Sequence, residues 1–366
     1  MSVLFDIFLV VPPGLEAHLA EEARAGGFAV QSVDPGGVTV QGDWTEVWRA
    51  NLQLRGATRV LVRLAEFRAM HLAQLDKRAR RLAWSDWLRP GTPVEVEATC
   101  RKSKIYHNRA ASERVQNAIT EAIGSGDGDP ELTVKLRIED DMVTISLDSS
   151  GDALHRRGHK LRLNKAPMRE NLAALFLRAA GFDGTMPLYD PMCGSGTFPI
   201  EAAEIAAGLY PGRSRAFAFQ QLASYAPEAF ERMKRRLAPV PPARFFGSDR
   251  DTGAVKMSQE NAERAGVSHL AAFHHAAISD AKPPTDQPGL VIVNAPYGGR
   301  IGNKKPLFGL YGAFGQVMKE RFQGWRVALI TSDGGLAKAS GLPFAPPGPV
   351  VDHGGIGIRL WQTKAL

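Results

Sequence analysis

The chain has 366 residues, 44% hydrophobic and 23% charged, enough for two domains with a substantial core and ordinary for a globular protein. Its net charge of +7 fits a polyanionic partner, and its two cysteines, Cys100 and Cys193, exclude a disulfide framework and point to a reducing cytoplasm. No stretch is apolar for long enough to span a membrane, and the short N-terminal apolar run carries Asp6 without a basic leader, so it reads as a strand and not a signal peptide.

In chain order, Phe5–Val11 reads as a strand and Gly14–Gly27 as a helix closed by glycines. Val38–Val40 and Arg59–Leu64 follow as strands. Trp44–Leu54 and His71–Trp84 follow as helices, with apolar residues three and four apart. Pro93–Thr99 is a strand and Arg109–Ile123 a helix. Leu132–Ile138 and Met142–Leu147 alternate across the acidic Glu139-Asp140-Asp141 turn, the pattern of a hairpin. The character changes near Leu154, which divides the chain into segments 1–154 and 155–366. A basic stretch, HRRGHKLRLNKAPMRE, leads into a helix over Arg169–Ala180. Strands Pro187–Asp190, Arg244–Asp249, Leu270–Ala276, Leu290–Asn294 and Arg326–Thr331 then alternate with helices Phe198–Leu209 and Thr252–Ala265, which predicts a parallel, doubly wound sheet. Gly357–Thr363 is expected as an edge strand, and Tyr210–Pro242 as an insertion with its own helix, Pro227–Leu237.

Two loops carry the chemistry. The first, Asp190-Pro191-Met192-Cys193-Gly194-Ser195-Gly196-Thr197, joins an apolar strand to a helix. Ligands of such sheets sit at the carboxyl ends of the strands. Gly194 and Gly196 allow close backbone approach, and the helix that follows offers free N–H groups to a carboxylate or phosphate. Glu201 is expected to make cap or dipole contacts there. Cys193 has no activating base in the sequence and reads as a small packing residue of this loop. Asp249 ends the next strand and suits the two hydroxyls of a ribose, while Asp251 suits the cap of the helix that follows. This spacing alone fits a dinucleotide or S-adenosylmethionine.

The second loop, Asn294-Ala295-Pro296-Tyr297, also follows an apolar strand, so it lies at the same sheet edge. Pro296 restricts Ala295 to extended geometry. A stiff loop aims the Asn294 side-chain oxygen and a backbone carbonyl at one point, where two acceptors bind both hydrogens of an exocyclic amine. Tyr297 is placed to stack on a base, a contact worth roughly 1–3 kcal/mol. Alignment with an electrophilic methyl group then does most of the catalysis, without a metal.

DPMCGSGT and NAPYG resemble the first and fourth motifs of class I S-adenosylmethionine-dependent methyltransferases acting on exocyclic amines. PPGLEAHLAEE, RANLQLRGATRVLVRL and ATCRKSKIYH resemble the ferredoxin-like plus THUMP module that precedes this domain in RNA methyltransferases, and LNKAPMRENLAALFLRAAGF, SDRDTGAVKMSQENAERAG and LYGAFGQVMKERFQGW match as well. The resemblance covers nearly the whole chain. It points first to bacterial large-subunit rRNA guanine-N2 methyltransferases and next to tRNA guanine-N2 enzymes with a THUMP domain. It implies an α+β ferredoxin-like/THUMP RNA-binding module over 1–154, then a seven-stranded, Rossmann-like methyltransferase domain over 155–366. It implies that Asp190, Cys193, Gly194, Gly196 and Thr197 line the cofactor, with Pro167 in a segment closing over it. Asp249 would hold the ribose, and Asn294, Pro296 and Tyr297 would hold the guanine. The implied partner is RNA, 23S rRNA or its precursor ahead of tRNA. The chain departs from the usual Asn-Pro-Pro-Tyr at Ala295, which predicts a less rigid loop. It also carries alanine after the third strand where a carboxylate usually meets the adenine amine, which leaves Asp280 or a backbone group for that contact.

Two basic clusters are expected to grip RNA phosphates: Arg101, Lys102 and Lys104 with Tyr106 and Arg109, and Arg156, Arg157 and Lys160 at the segment junction. His155 and His159 are four apart, as on one helix face, but lack a carboxylate or thiolate partner, so no metal site is expected. Rival readings are an adenine-N6 methyltransferase with the same loop and an RNA-binding assembly factor with a degenerate pocket. A nicotinamide oxidoreductase is disfavoured by Pro199, which breaks the Gly-x-Gly-x-x-Gly pattern.

Overall fold

The computed structural model describes residues 4–160, 168–235, 244–297 and 305–366. They form two compact units, the first from the described residues of Met1–Val11, Ala20–Leu154 and Arg215–Arg235, the second from those of Pro12–Leu19, His155–Ser214 and Arg236–Leu366. Among the described residues, no helix is long and apolar enough to cross a membrane.

Through the N-terminal half run β1 (Phe5–Val10), α1 (Glu16–Ala25), β2 (Ala29–Asp34), β3 (Gly37–Gly42), α2 (Trp44–Gln53), β4 (Arg59–Arg68), α3 (Leu72–Ala79), β5 (Val94–Arg101), α4 (Asn108–Ile123), β6 (Leu132–Glu139) and β7 (Met142–Asp148). The strands form one mixed sheet in the order β2-β3-β1-β4-β7-β6-β5, in which only β5 and β6 pair in parallel. Period-two alternation buries Phe5, Ile7 and Leu9 of β1. Asp43 caps α2 by accepting from the N–H groups of Thr45 and Glu46. The Glu139-Asp140-Asp141 turn joins β6 to β7, with Asp140 and Asp141 at φ +51° and +64°, the left-handed geometry that short acidic residues tolerate. β2 is a strand that the sequence reading lacks, because AVQSVD is mostly solvent-facing and is held by pairing with β3.

The second half runs α5 (Glu170–Ala179), β8 (Leu188–Asp190), α6 (Thr197–Ala206), α7 (Pro227–Lys234), β9 (Phe245–Asp249), α8 (Thr252–Ala265), β10 (Ala271–His275), β11 (Leu290–Asn294), α9 (Lys305–Arg321), β12 (Arg326–Thr331), α10 (Gly334–Ala339), β13 (Val351–Asp352) and β14 (Gly357–Gln362). Its sheet has the order β10-β9-β8-β11-β12-β14-β13, parallel from β10 through β12, with β14 antiparallel to both neighbours. Gly357–Gln362 is therefore an inner strand and β13 the edge. From β8 the chain winds outward to β9 and β10, then returns to β11 on the other side of β8. That reversal opens a crevice beyond the carboxyl ends of β8 and β11.

On one face Tyr189, Val291, Val293, Ala295 and Leu329 pack against Leu307, Tyr311, Phe314 and Met318 of α9 and Leu336 of α10. Gly315 lets α9 approach the end of α10, since a Cβ there would lie 1.7 Å from the Ser340 carbonyl oxygen. Gly315→Ala is expected to destabilise the protein by ~1–3 kcal/mol or more, because backbone and not a movable side chain must shift. A denaturation midpoint equal to the parent's would refute this packing.

A single cut between residues 154 and 155 does not describe the division. Arg215–Arg235 belongs to the first unit, because its aromatic side chains find their partners there. Phe219 stacks with Trp48 at 6.1 Å and Phe217 at 5.1 Å, and its edge contact with Phe230 is also 5.1 Å. Arg215 donates to the carbonyls of Ser150, Asp152 and Ala153. The inserted helix is α7, shorter than the expected Pro227–Leu237 within the described residues.

Candidate active site

The loop between β8 and α6 is fixed by its own bonds and by β9 and α8. Met192 N donates to Asp190 Oδ1 at 3.0 Å and Gly196 N to the Cys193 carbonyl at 2.8 Å. From β9, the Ser248 carbonyl accepts from Cys193 N at 2.9 Å and Asp249 Oδ2 from Gly194 N at 3.0 Å. From α8, Ser258 Oγ donates to the Gly194 carbonyl at 2.9 Å and Asn261 Nδ2 to the Ser195 carbonyl at 3.0 Å. Gly196 sits at φ +79°, and a Cβ there would lie 2.9 Å from Ser258 Cβ, so both conformation and space require glycine. Cys193 is buried, which pushes its thiol well above the ordinary range, and its Sγ lies 3.8 Å from Ser258 Oγ, the surroundings of a packing residue.

Asp249 and Asp251 have separate tasks. Asp251 caps α8 by accepting from Gly253 N at 2.8 Å. Asp249 accepts from Gly194 N and, through Oδ1, from Asp251 N at 3.0 Å. Each of its oxygens keeps a second lone pair. Asp280 is exposed in the 3-10 turn Ile278–Asp280, which Arg321 Nη1 ties to α9 by donating to the carbonyls of Ser279 and Ala281.

β11 places the second loop beside the first. Alternation turns Val291, Val293 and Ala295 into the α9 core and Asn294 to the other side. Asn294 Oδ1 is buried, and no donor reaches it among the described residues. Buried acceptors are usually paired, so this oxygen is open to a donor beyond the described residues. Ala295 is 1% exposed, Pro296 O lies 3.2 Å from Tyr311 Oη, and Tyr297 Oη lies 3.0 Å from His353 Nδ1. Tertiary contacts thus hold the loop at Ala295, Pro296 and Tyr297. Tyr311 lies within the matching segment LYGAFGQVMKERFQGW, but neither it nor His353 is singled out by the sequence, because no spacing links them to Asn294.

The second basic cluster is not the exposed phosphate-binding surface that its sequence suggests. Arg157 is not a phosphate contact: it is 2% exposed and bridges Glu201 and Glu204, with 3.2 Å to Glu204 Oε2. Burial opposes its charge, but Glu201 and Glu204 outweigh burial and hold the guanidinium more firmly protonated than usual. Glu201 is accordingly an ion-pair partner in the core and not a cap. Lys160 is turned inward as well, donating to Thr197 Oγ1 and the Met168 carbonyl, each at 2.8 Å. The segment holding His155 and His159 is not helical, and His159 is buried. Arg156 is exposed. So are Arg101, Lys102, Lys104, Tyr106 and Arg109, which lie from the end of edge strand β5 into α4. Pro167 lies outside the described residues.

Residues 157–342, just over half of the chain, match the family described as RMKL-like, methyltransferase domain. The chain belongs to the RMKL-like methyltransferase family. Residues 6–61 match the RlmL ferredoxin-like domain and 69–148 the THUMP domain. The ribosomal RNA large subunit methyltransferase K/L of Syntrophotalea carbinolica is 34% identical over 364 residues, covering 93% of this chain and 51% of that protein. The chain thus spans about half the length of the K/L relatives it matches. The Synechocystis protein named "Putative RNA methyltransferase slr0064" is 30% identical, covering 98% of this chain and 96% of its own. Among solved structures, SMU.472 complexed with SAH superposes with a TM-score of 0.91 at 25% identity, covering 100% of this chain and 99% of that one.

The cofactor of this RMKL-like methyltransferase is S-adenosylmethionine. The residues fit it chemically. Asp190 supplies an acidic acceptor at the end of β8, the first turn of α6 supplies N–H groups without an acceptor inside the helix, and Asp249 supplies a carboxylate at the end of β9. Burial, reinforced by the neighbouring Asp249, pushes the Asp190 carboxyl well above the ordinary range despite the Met192 N–H. A carboxyl whose folded pKa is raised binds its proton more tightly in the folded state. Its contribution to stability is therefore full at low pH and declines as pH rises from the unfolded value, about 4, through the folded value. Asp190→Asn keeps the acceptor for Met192 N and removes that decline. Without cofactor, the variant is expected to gain stability over the parent progressively above about pH 4. A stability difference flat from about pH 4 to pH 8 in urea unfolding would contradict this.

Proposed function

We propose that the protein transfers the methyl group of S-adenosylmethionine to the exocyclic N2 amine of a guanine in large-subunit ribosomal RNA. The observation that carries this reading is Asn294 Oδ1, a buried acceptor that no described donor reaches, at the carboxyl end of the strand beside the cofactor loop. A guanine amine supplies the missing donor. Asn294 Oδ1 takes one N–H and the Ala295 carbonyl the other, the Pro296 carbonyl being engaged by Tyr311. With both hydrogens held, the nitrogen lone pair faces the donor. The bound cofactor supplies an electrophilic methyl group on sulfur. Asp190 with the Gly194–Gly196 backbone holds its methionine part, and Asp249 holds its ribose. The Tyr297 ring stacks on the base, which must leave its helix to reach the crevice. The THUMP module grips RNA through Arg101, Lys102, Lys104, Tyr106 and Arg109. The names of the K/L relatives support ribosomal RNA as the substrate.

The test is methylation of large-subunit rRNA from cells lacking guanine-N2 modification, followed by nucleoside mass spectrometry. N2-methylguanosine is expected. N6-methyladenosine would move the target to adenine, and transfer to tRNA alone would move it to another RNA. Replacing Arg101, Lys104 and Arg109 together with alanine is expected to weaken RNA binding and to flatten its dependence on log salt by up to ~0.7–0.9 per lost phosphate contact.

A further inference from the structure

We propose that His353 is a positioning residue for Tyr297, fixing the plane of the ring that stacks on the target base. This rests on the reading of Asn294–Tyr297 as the substrate loop. Tyr297 Oη and His353 Nδ1 are 3.0 Å apart, a hydrogen bond in either tautomer of the ring. His353 is 8% exposed and held by its own hairpin. Its N–H donates to the Ile356 carbonyl at 2.9 Å, and Asp352 Oδ1 accepts from Gly355 N at 3.1 Å. Gly354 and Gly355, at φ +66° and +83°, close the turn between β13 and β14. β14 pairs with β12, which pairs with β11, so the histidine is anchored through the same sheet that carries Asn294.

The consequence is chemical. A phenol on a free loop can turn about two side-chain torsions and offer a base either its hydroxyl or its face. With the hydroxyl held by His353, Tyr297 offers its face. Stacking does not depend on base identity, because every base has a π-face. Choice of the target amine then falls to Asn294 and the backbone beside it. His353 acts on the base through Tyr297.

The experiment measures kcat and the KM for RNA at saturating S-adenosylmethionine, with the dissociation constant of the cofactor measured separately. The variants are Tyr297→Phe, His353→Leu, the double variant and His353→Asn, whose amide can stand where Nδ1 stands. Tyr297→Phe and His353→Leu are each expected to lower kcat/KM for RNA ~5–10-fold, the effect of one hydrogen bond. The double variant is expected to lose no more than either single one, and His353→Asn to recover to within ~2-fold of the parent. Cofactor affinity is expected to stay constant throughout. Additive losses, or a loss of cofactor affinity in His353→Leu, would overturn the assignment. Failure of the underlying reading is a different result, full methylation by Asn294→Ala.

Discussion

Asn294→Ala is expected to slow methyl transfer ~10²–10³-fold, the usual effect of removing one preorganised polar group from an active site. Affinity for S-adenosylmethionine is expected to stay within ~2-fold. The separation follows from the sheet. Asn294 ends β11, whereas the cofactor loop is held by β9 and α8, and none of that loop's bonds involves Asn294. Its Oδ1 has no donor to lose among the described residues, so the truncation removes an acceptor without orphaning a protein group. Most of the effect belongs in kcat, because the bond orients the reacting nitrogen as well as binding it. Rapid-quench turnover with saturating RNA, beside calorimetric titration of the cofactor, measures both numbers. Wild-type turnover in the variant would remove Asn294 from the mechanism, and matched losses in turnover and cofactor affinity would make it a structural residue.

Arg157→Met is expected to have the largest effect on stability, ~3–5 kcal/mol, the cost of breaking a buried ion pair from one side. Glu201 is 1% and Glu204 0% exposed. Glu204 also meets Arg213, whose Nη2 lies 2.5 Å from its Oε1, so a cation stays beside Glu204 when Arg157 is lost. Arg157→Met with Glu201→Leu should recover much of the loss, because an apolar pair of similar volume carries no uncompensated charge. Arg156→Ala, on the exposed neighbour, should change stability by no more than ~0.5 kcal/mol. Urea unfolding of the full chain reads all three. A single variant as stable as the parent would mean that solvent or another cation replaces the guanidinium. Because Glu201 and Glu204 lie on α6, directly after the cofactor loop, the destabilised variant is also expected to bind S-adenosylmethionine more weakly.

Sequence patterns located the strands and the two loops well. Both loops sit where strand-to-loop transitions placed them, and β11, β12 and α8 match their expected bounds residue for residue. The physical reason is that parallel interior strands read as short apolar runs, and their carboxyl ends fall on one edge whatever the strand order. Solvent-facing or very short elements were not legible, and neither α9 nor α10 was assigned as a helix. β2 has little apolar signal, and β13 is only two residues long. Gly357–Gln362 read as an edge strand because a single apolar run does not say how many neighbours it has.

The basic stretch beyond Leu154 shows the limit most clearly. Arg156 and Arg157 are adjacent and chemically identical, yet one is exposed and the other buried against two glutamates 44 and 47 residues away. Charge in a sequence does not reveal which side chains meet an opposite charge inside the fold. By itself, then, the sequence determined the alternating architecture, the two loops and the family, because those depend on local apolar period, glycine freedom and motif spacing. The tertiary structure alone decided that Arg157 and Lys160 are internal, that Arg215–Arg235 folds with the first unit, and that Tyr311 and His353 hold the loop at Pro296 and Tyr297. Each of these depends on contacts between residues far apart in the chain, which spacing along it does not encode.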